Sequence, residues 1–145
     1  MWSTTCPFDS TPSHTQFLRH HARRLLRAVH GDMTRALPVL RRIVAAGVIP
    51  AHSLTALYAA RTEVRLKHVF SMLATELGYA DWHTCKNDID GRDPAVLDAY
   101  RFEAAPPGDF TLNWFPDEPT ARAWQAQHGG YVVRYGRQAV ALLRA

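Results

Sequence analysis

Apolar residues recur at helical spacing through the first two thirds of the chain and alternate in the last third. Leu18, Ala22, Leu25, Leu26 and Val29 fall at i, i+4, i+7, i+8 and i+11, one face of a helix. Ser13 stands where an N-cap is needed, so a helix is predicted from residue 14 to about His30. Gly31 ends it and Asp32 caps a second helix to Ala46, with Leu37, Leu40, Ile43 and Val44 as its stripe. Pro38 lies inside that helix, so either a kink or a late start near Leu37 is expected. Ser53 caps a third helix through Leu54, Leu57 and Tyr58. Past Arg61 the phase moves to Leu66, Val69, Phe70, Leu73 and Leu77, which means a kink or two helices, with Thr62 a candidate second cap. Gly78 is the stop, and Asp81 caps a short helix that turns Trp82, Cys85 and Ile89 inward.

After Ala105-Pro106-Pro107-Gly108 the period changes. Phe110–Phe115 reads as a strand and 117–127 as a helix presenting Ala121 and Trp124. Tyr131–Tyr135 and Gln138–Leu143 read as strands around Gly136-Arg137. Glycine at the first central position suits a type II′ hairpin. The expected fold class is α+β: an N-terminal helical bundle followed by a small C-terminal β-α-β-β unit. The expected boundaries are an irregular leader over 1–13, a basic helical domain over 14–104, a linker over 105–109 and the β-α-β-β unit over 110–145. Three strands are few, so the unit is expected to pack on helices or on a second copy.

Length adds little, since 145 residues make one domain, or one with an appendage. Charge adds more. Seventeen Lys and Arg face 13 Asp and Glu, a net charge of +4 with neutral histidines. Between His14 and Lys67 ten basic residues meet only Asp32 and Glu63. The chain from Asp93 onward is nearly neutral. A basic half beside a neutral half suggests an anionic partner. Arg19, Arg23 and Arg27 stand at i, i+4 and i+8, where like charges repel unless solvated or matched by an anion. Arg24, Arg41 and Arg42 widen the stripe into a candidate phosphate-contact surface. The competing reading is a solvated face, or pairing with Asp117 and Glu118. Trp114 and Trp124 are candidate protein-interface residues.

Motifs for chemistry are absent. Cys6 and Cys85 make no disulfide framework and no C-x-x-C, which points to a reducing cytoplasm. Cys85 sits on an apolar stripe as a structural thiol. Of eight histidines, no two stand at i, i+4, and there is no H-E-x-x-H. G-x-S-x-G and a Gly-rich phosphate loop are missing too. Aligning Gly91 with the glycine of an EF-hand loop puts Lys86 and Leu97 at ligand positions, so residues 81–94 are a turn. No catalytic residue, metal or cofactor is expected. The first residues lack a basic n-region and an apolar core, so no secretory signal is expected, and no run is long enough to span a membrane.

Residues Leu66–Trp82 resemble a recurring bacterial helix-turn-helix segment: a helix, then Ala-x-x-x-Gly-Tyr/Phe-x-Asp/Ser-Trp, then a short helix. Leu73, Ala74, Gly78, Tyr79, Asp81 and Trp82 carry the likeness. Similar segments occur in small helical domains labelled glyoxalase-related and beside some ankyrin-type repeats. The resemblance implies structural roles. Gly78 ends one helix, Tyr79 and Trp82 close an apolar corner, and Asp81 caps the next helix. It does not bring glyoxalase chemistry, because the metal-binding His and Glu pattern is absent. Ala36–Arg42, His128-Gly-Gly130 and Gln138-Ala-Val140 resemble uncharacterised short accessory proteins of Gram-negative bacteria. That likeness implies an accessory binding protein and assigns no site. The expectation is a non-enzymatic cytoplasmic binding protein with DNA or RNA as first candidate partner. The alternative is a protein-interaction module of immunity, antitoxin or adaptor type, with a homodimer among its forms.

Overall fold

The computed structural model describes residues 6–8, 13–50, 53–105 and 107–144. Most of the expected leader therefore lies outside the described residues. Two compact units are present, and the division falls between Arg92 and Asp93 rather than at the expected linker. The short helix before Pro106 belongs with the sheet, because its apolar side chains pack there.

The first unit, over residues 13–92, is helical. Helix α1 spans His14–Val29. Ser13 and Gln16 form a reciprocal capping box: the Ser13 hydroxyl accepts from the Gln16 amide at 3.2 Å, and the Ser13 amide donates to Gln16 Oε1 at 3.3 Å. Leu18, Ala22, Leu25 and Val29 are buried, as their spacing requires. His14 and His21 are buried beside them, and polarity alone had hidden both. Helix α2, Met33–Ala46, starts at its Asp32 cap and runs through Pro38. Thr34 and Pro38 are both exposed, so water can take the carbonyl that the proline leaves unbonded. Its buried stripe is Ala36, Val39, Leu40 and Ile43, while Val44 is exposed. The buried stripe lies one residue toward the N-terminus of the expected one, because Ala36 and Val39 face the core while Leu37 is only half-buried.

The phase shift after Arg61 marks two helices, α3 over Leu54–Ala59 and α4 over Leu66–Glu76. A 3-10 turn, Arg61–Glu63, separates them. Thr62 lies inside that turn and is not the cap of α4. Arg65 holds that position, with its amide donating to His68 Nδ1 at 2.9 Å. Arg61 pins the junction, donating to the carbonyls of Gly31 and Tyr58 and lying over the Tyr58 ring.

The end of α4 is a Schellman motif. The Tyr79 amide donates to the Ala74 carbonyl at 2.9 Å, and the Gly78 amide to Thr75 at 3.0 Å. Gly78 sits at φ +89°, which a residue with a Cβ adopts at a cost. Asp81 then caps helix α5, Trp82–Asp88, accepting from the Thr84 amide at 2.8 Å. Trp82 is half-buried rather than buried. It stacks on Phe70, with centroids 4.3 Å apart and planes at 14°. Tyr79 is also half-buried, and its role is polar: the phenol donates to Asp88 at 2.6 Å and accepts from Arg92 at 3.3 Å. The apolar corner is therefore closed by Phe70 and Trp82, while Tyr79 ties the α5 segment back by hydrogen bonds.

The second unit contains helix α6 (Asp98–Ala104), strand β1 (Phe110–Phe115), helix α7 (Glu118–His128), and strands β2 (Tyr131–Tyr135) and β3 (Gln138–Arg144). The fold class is α+β, as the sequence pattern predicts. The sheet order is β1-β3-β2, with both pairings antiparallel. β3 is central and buried on both faces. Val140 and Leu142 face Phe102 of α6, together with Val133. Ala139 and Ala141 face Ala121 of α7, together with Val132. Large residues on one side and alanines on the other set the two helices on opposite faces of the sheet.

Gly130 precedes β2 at φ +93°, and a Cβ there would stand 2.9 Å from the Leu142 carbonyl oxygen. A Cβ on Gly78 would meet nothing within 4 Å. Gly78→Ala is therefore expected to lose about 1 kcal/mol from backbone strain alone. Gly130→Ala is expected to lose about 3 kcal/mol, because the strain adds to an overpacked strand. Urea unfolding of both variants measures the difference, and equal losses would refute the close approach.

Candidate nucleic-acid interface

The packing of α1 decides where its arginines go. Its buried stripe is one side of the helix, and at about 100° per residue Arg19, Arg23 and Arg27 fall on the opposite arc. All three are exposed, and among the described residues none has a carboxylate within salt-bridge distance. Arg24 lies at the edge of the arc, half-buried. Arg41 is exposed on α2. Arg42 is different. It makes a bidentate pair with Glu76 of α4, Nη2 to Oε1 at 2.7 Å and Nε to Oε2 at 2.8 Å. A fork-to-fork pair of that geometry commits the guanidinium to holding α2 on α4.

Internal duties sort the remaining basic residues. Arg61 is bonded to backbone carbonyls, and Arg92 bonds the Tyr79 phenol. Arg65 and Lys67 lie elsewhere. With Leu26, His30, Thr62, Val64 and Leu66 they line a groove of about 480 Å³ between α1 and the start of α4. Leu26 is one residue from Arg27, so the α1 arc borders one wall of this groove and Arg65 and Lys67 border the other. Sequence reasoning missed Arg65 and Lys67. Their only signal was membership in the basic run, and the turn that brings them to α1 has no sequence mark of its own. The acidic residues set against this face as alternatives have local work. Asp117 caps α7, accepting from the Thr120 amide at 2.8 Å, and Glu118 pairs with Arg122 at 3.5 Å.

The two tryptophans do not form one surface. Trp114 packs edge-on to Phe102 and Tyr135, on the α6 face of the sheet. Trp124 lies on α7 against Phe115 and stacks on His128, on the other face. Trp114 remains 46% exposed with Leu112 at 42% beside it on the same face, while Trp124 is half-buried.

Cys85 is buried, and burial pushes its thiol up to about 11, which keeps it protonated and unreactive at neutral pH. Among the described residues no three His, Cys, Asp or Glu side chains gather where they could hold a metal ion. No helix among them is long and apolar enough to cross a membrane. No protein-family model, curated protein or solved structure matches the chain. The likeness of residues 66–82 thus stays a likeness of local pattern.

His21 reports on the field behind the arginine arc. It is 1% exposed and stacks on Phe17 at 5.6 Å. Burial, then the charges of Arg24 and Arg42, lower its pKa from 6.5 to about 4. The folded state therefore holds His21 neutral where the unfolded chain protonates it. Its contribution is fully present above pH 6.5 and is lost as the pH falls toward 4. Between pH 7.5 and 5 the protein should lose about 2 kcal/mol through this group. Chemical unfolding at both pH values, compared with His21→Leu, isolates it. An identical pH slope in the variant would remove His21 as the cause.

Proposed function

We propose that the protein is a non-enzymatic, nucleic-acid-binding protein that contacts phosphates through the exposed arc of α1. The observation that carries the reading is the trio Arg19, Arg23 and Arg27, solvent-facing and without carboxylate partners among the described residues. The same fold neutralises Arg42 with Glu76. Three like charges on successive turns repel one another, and a polyanion relieves that repulsion. Arginine suits the task because its fork matches phosphate oxygens. Arg24 and Arg41 flank the trio, and Arg65 and Lys67 offer further contacts across the groove. No side chain of this face is placed to read bases through a defined motif, so backbone contact dominates the reading.

Taking Arg19, Arg23, Arg24, Arg27 and Arg41 as contacts, log affinity for duplex DNA should fall against log salt with a slope of about −4.5. Arg23→Gln with Arg27→Gln should flatten the slope by about two units. Stability should change by less than about 1 kcal/mol, because both side chains are exposed. Fluorescence anisotropy with labelled duplex and single strand, from about 50 to 200 mM salt, makes the measurement. Absence of binding to either strand form at the low-salt end would eliminate the reading.

One observation favours a second reading, a protein-interaction module whose partner is another copy of the chain. β1 is an edge strand without a charged residue, and it exposes Leu112 and Trp114 on one face. Edges are usually blunted by charge or proline, and β1 carries neither between Phe110 and Phe115. The near-neutral unit that carries it also lacks the like-charge repulsion of the basic unit. Light scattering at high concentration should give a dimer that Trp114→Lys converts to monomer. A strict monomer in the parent protein removes this reading and leaves the first intact.

A further inference from the structure

Two leucines of the helical stripes stay outside the packed core. Leu26 of α1 and Leu66 at the start of α4 both fall at the spacing of buried residues, yet each is only half-buried. With Val64 they form the apolar part of the groove of about 480 Å³ between the two helices. Its two walls are tied together. His30 Nε2, near the end of α1, donates to the Val64 carbonyl at 3.0 Å, and Arg61 Nε donates to the Gly31 carbonyl at 3.2 Å. A groove held open in this way needs little ordering when a ligand enters.

The charged lining is of one sign. Arg65 and Lys67 line the groove and are exposed, and among the described residues neither has a carboxylate within salt-bridge distance. Glu63, in the adjoining turn, is not among the lining residues. Phosphate contacts would use the two cations but give the leucines no partner. A docked helix needs anchors over about two turns, and the apolar lining here is a single short patch. A neutral apolar molecule would cover the leucines and leave both cations unmatched. The chemical complement of the whole lining is an anion with an aliphatic tail.

We propose that this groove binds a free medium-chain aliphatic carboxylate, of about eight to ten carbons. The tail lies against Leu26, Val64 and Leu66, and the carboxylate is drawn to Arg65 and Lys67. The volume falls within the range of small-ligand sites, which run from about 300 to 1,000 Å³. The aliphatic stems of Arg65 and Lys67 add apolar surface beside the leucines while their heads stay in water. Neither leucine enters the phosphate-contact reading of α1, so either assignment can fail without the other.

The test uses the full chain and four probes: octanoate, hexanoate, n-octanol, which lacks the charge, and octylammonium, which reverses it. Amide chemical shifts are followed up to about 3 mM probe. Octanoate should give saturable shifts confined to Leu26, His30, Leu66, Lys67 and their neighbours. Hexanoate should bind about fourfold more weakly, because two methylenes half-buried in an open groove equal one buried fully. n-Octanol should be weaker by at least about threefold, and octylammonium weaker still. Leu66→Ala should weaken octanoate by at least about threefold. Should Leu66→Ala fail to fold, Arg65→Gln with Lys67→Gln decides the matter, since both side chains are exposed, and octanoate should then bind no better than n-octanol. The proposal is overturned if octanoate gives no saturable shift, if its shifts spread equally to Leu112 and Trp114, if hexanoate, n-octanol or octylammonium matches it, or if folded Leu66→Ala or the double variant binds it unchanged. Shifts at the groove with a short single-stranded oligonucleotide, and none with octanoate, would overturn it in favour of an unpaired base.

Discussion

Helix α1 must hide Leu18, Ala22, Leu25 and Val29 on one side, and most of the first unit follows from that requirement. α2 and α4 both pack against the stripe. Because side-chain direction on a helix is fixed by position, burying the stripe turns Arg19, Arg23 and Arg27 to solvent. The basic arc is thus the complement of the core. It also explains why His21 is neutral: the ring lies at the edge of the stripe, in the core, with guanidinium groups on neighbouring positions.

The two units divide electrostatics differently. In the first, charge is asymmetric, and the arginines that have structural work find it locally: Arg42 with Glu76, Arg61 with carbonyls, Arg92 with Tyr79. Exposed arginines without such work lie on α1, as Arg19, Arg23 and Arg27, and on α2, as Arg35 and Arg41. In the second, charges are nearly balanced and spent at short range, as with Glu118 between Arg122 and Arg134. The stronger long-range field therefore belongs to the first unit.

Much of the fold was legible because its punctuation is chemical. Ser13, Asp32, Ser53, Asp81 and Asp117 all cap helices, each accepting from an amide three residues on. Gly78 stops α4, and the alternating segments after Gly108 are the strands. The illegible parts share a cause. Arg65 caps α4 by position, with no side-chain signature, whereas Thr62 has the hydroxyl of a cap residue but lies inside the preceding turn. His14 and His21 are buried because of their place on α1, against the preference of their type. The Phe70–Trp82 stack and the Asp98–Tyr131 bond join residues whose pairing no spacing rule announces. Periodicity reports which face a residue takes, and it is silent on which partner it meets across the core. The basic run was visible from composition, but its division into structural and free arginines required the contacts.

The strand order has a consequence during synthesis. β2 and β3 are joined by a two-residue loop and can pair as soon as both are made. β1 pairs only with β3, which follows it after a helix and another strand. On the ribosome, Phe110-Thr-Leu-Asn-Trp-Phe115 therefore waits without its partner until Gln138–Arg144 emerges. It is an uncharged, aromatic, proline-free hexapeptide, the composition most prone to pair with another chain in that interval. Asp109 before it and Asp117 with Glu118 after it place negative charge at both ends of this segment, guarding the nascent strand at the stage when nothing else covers it.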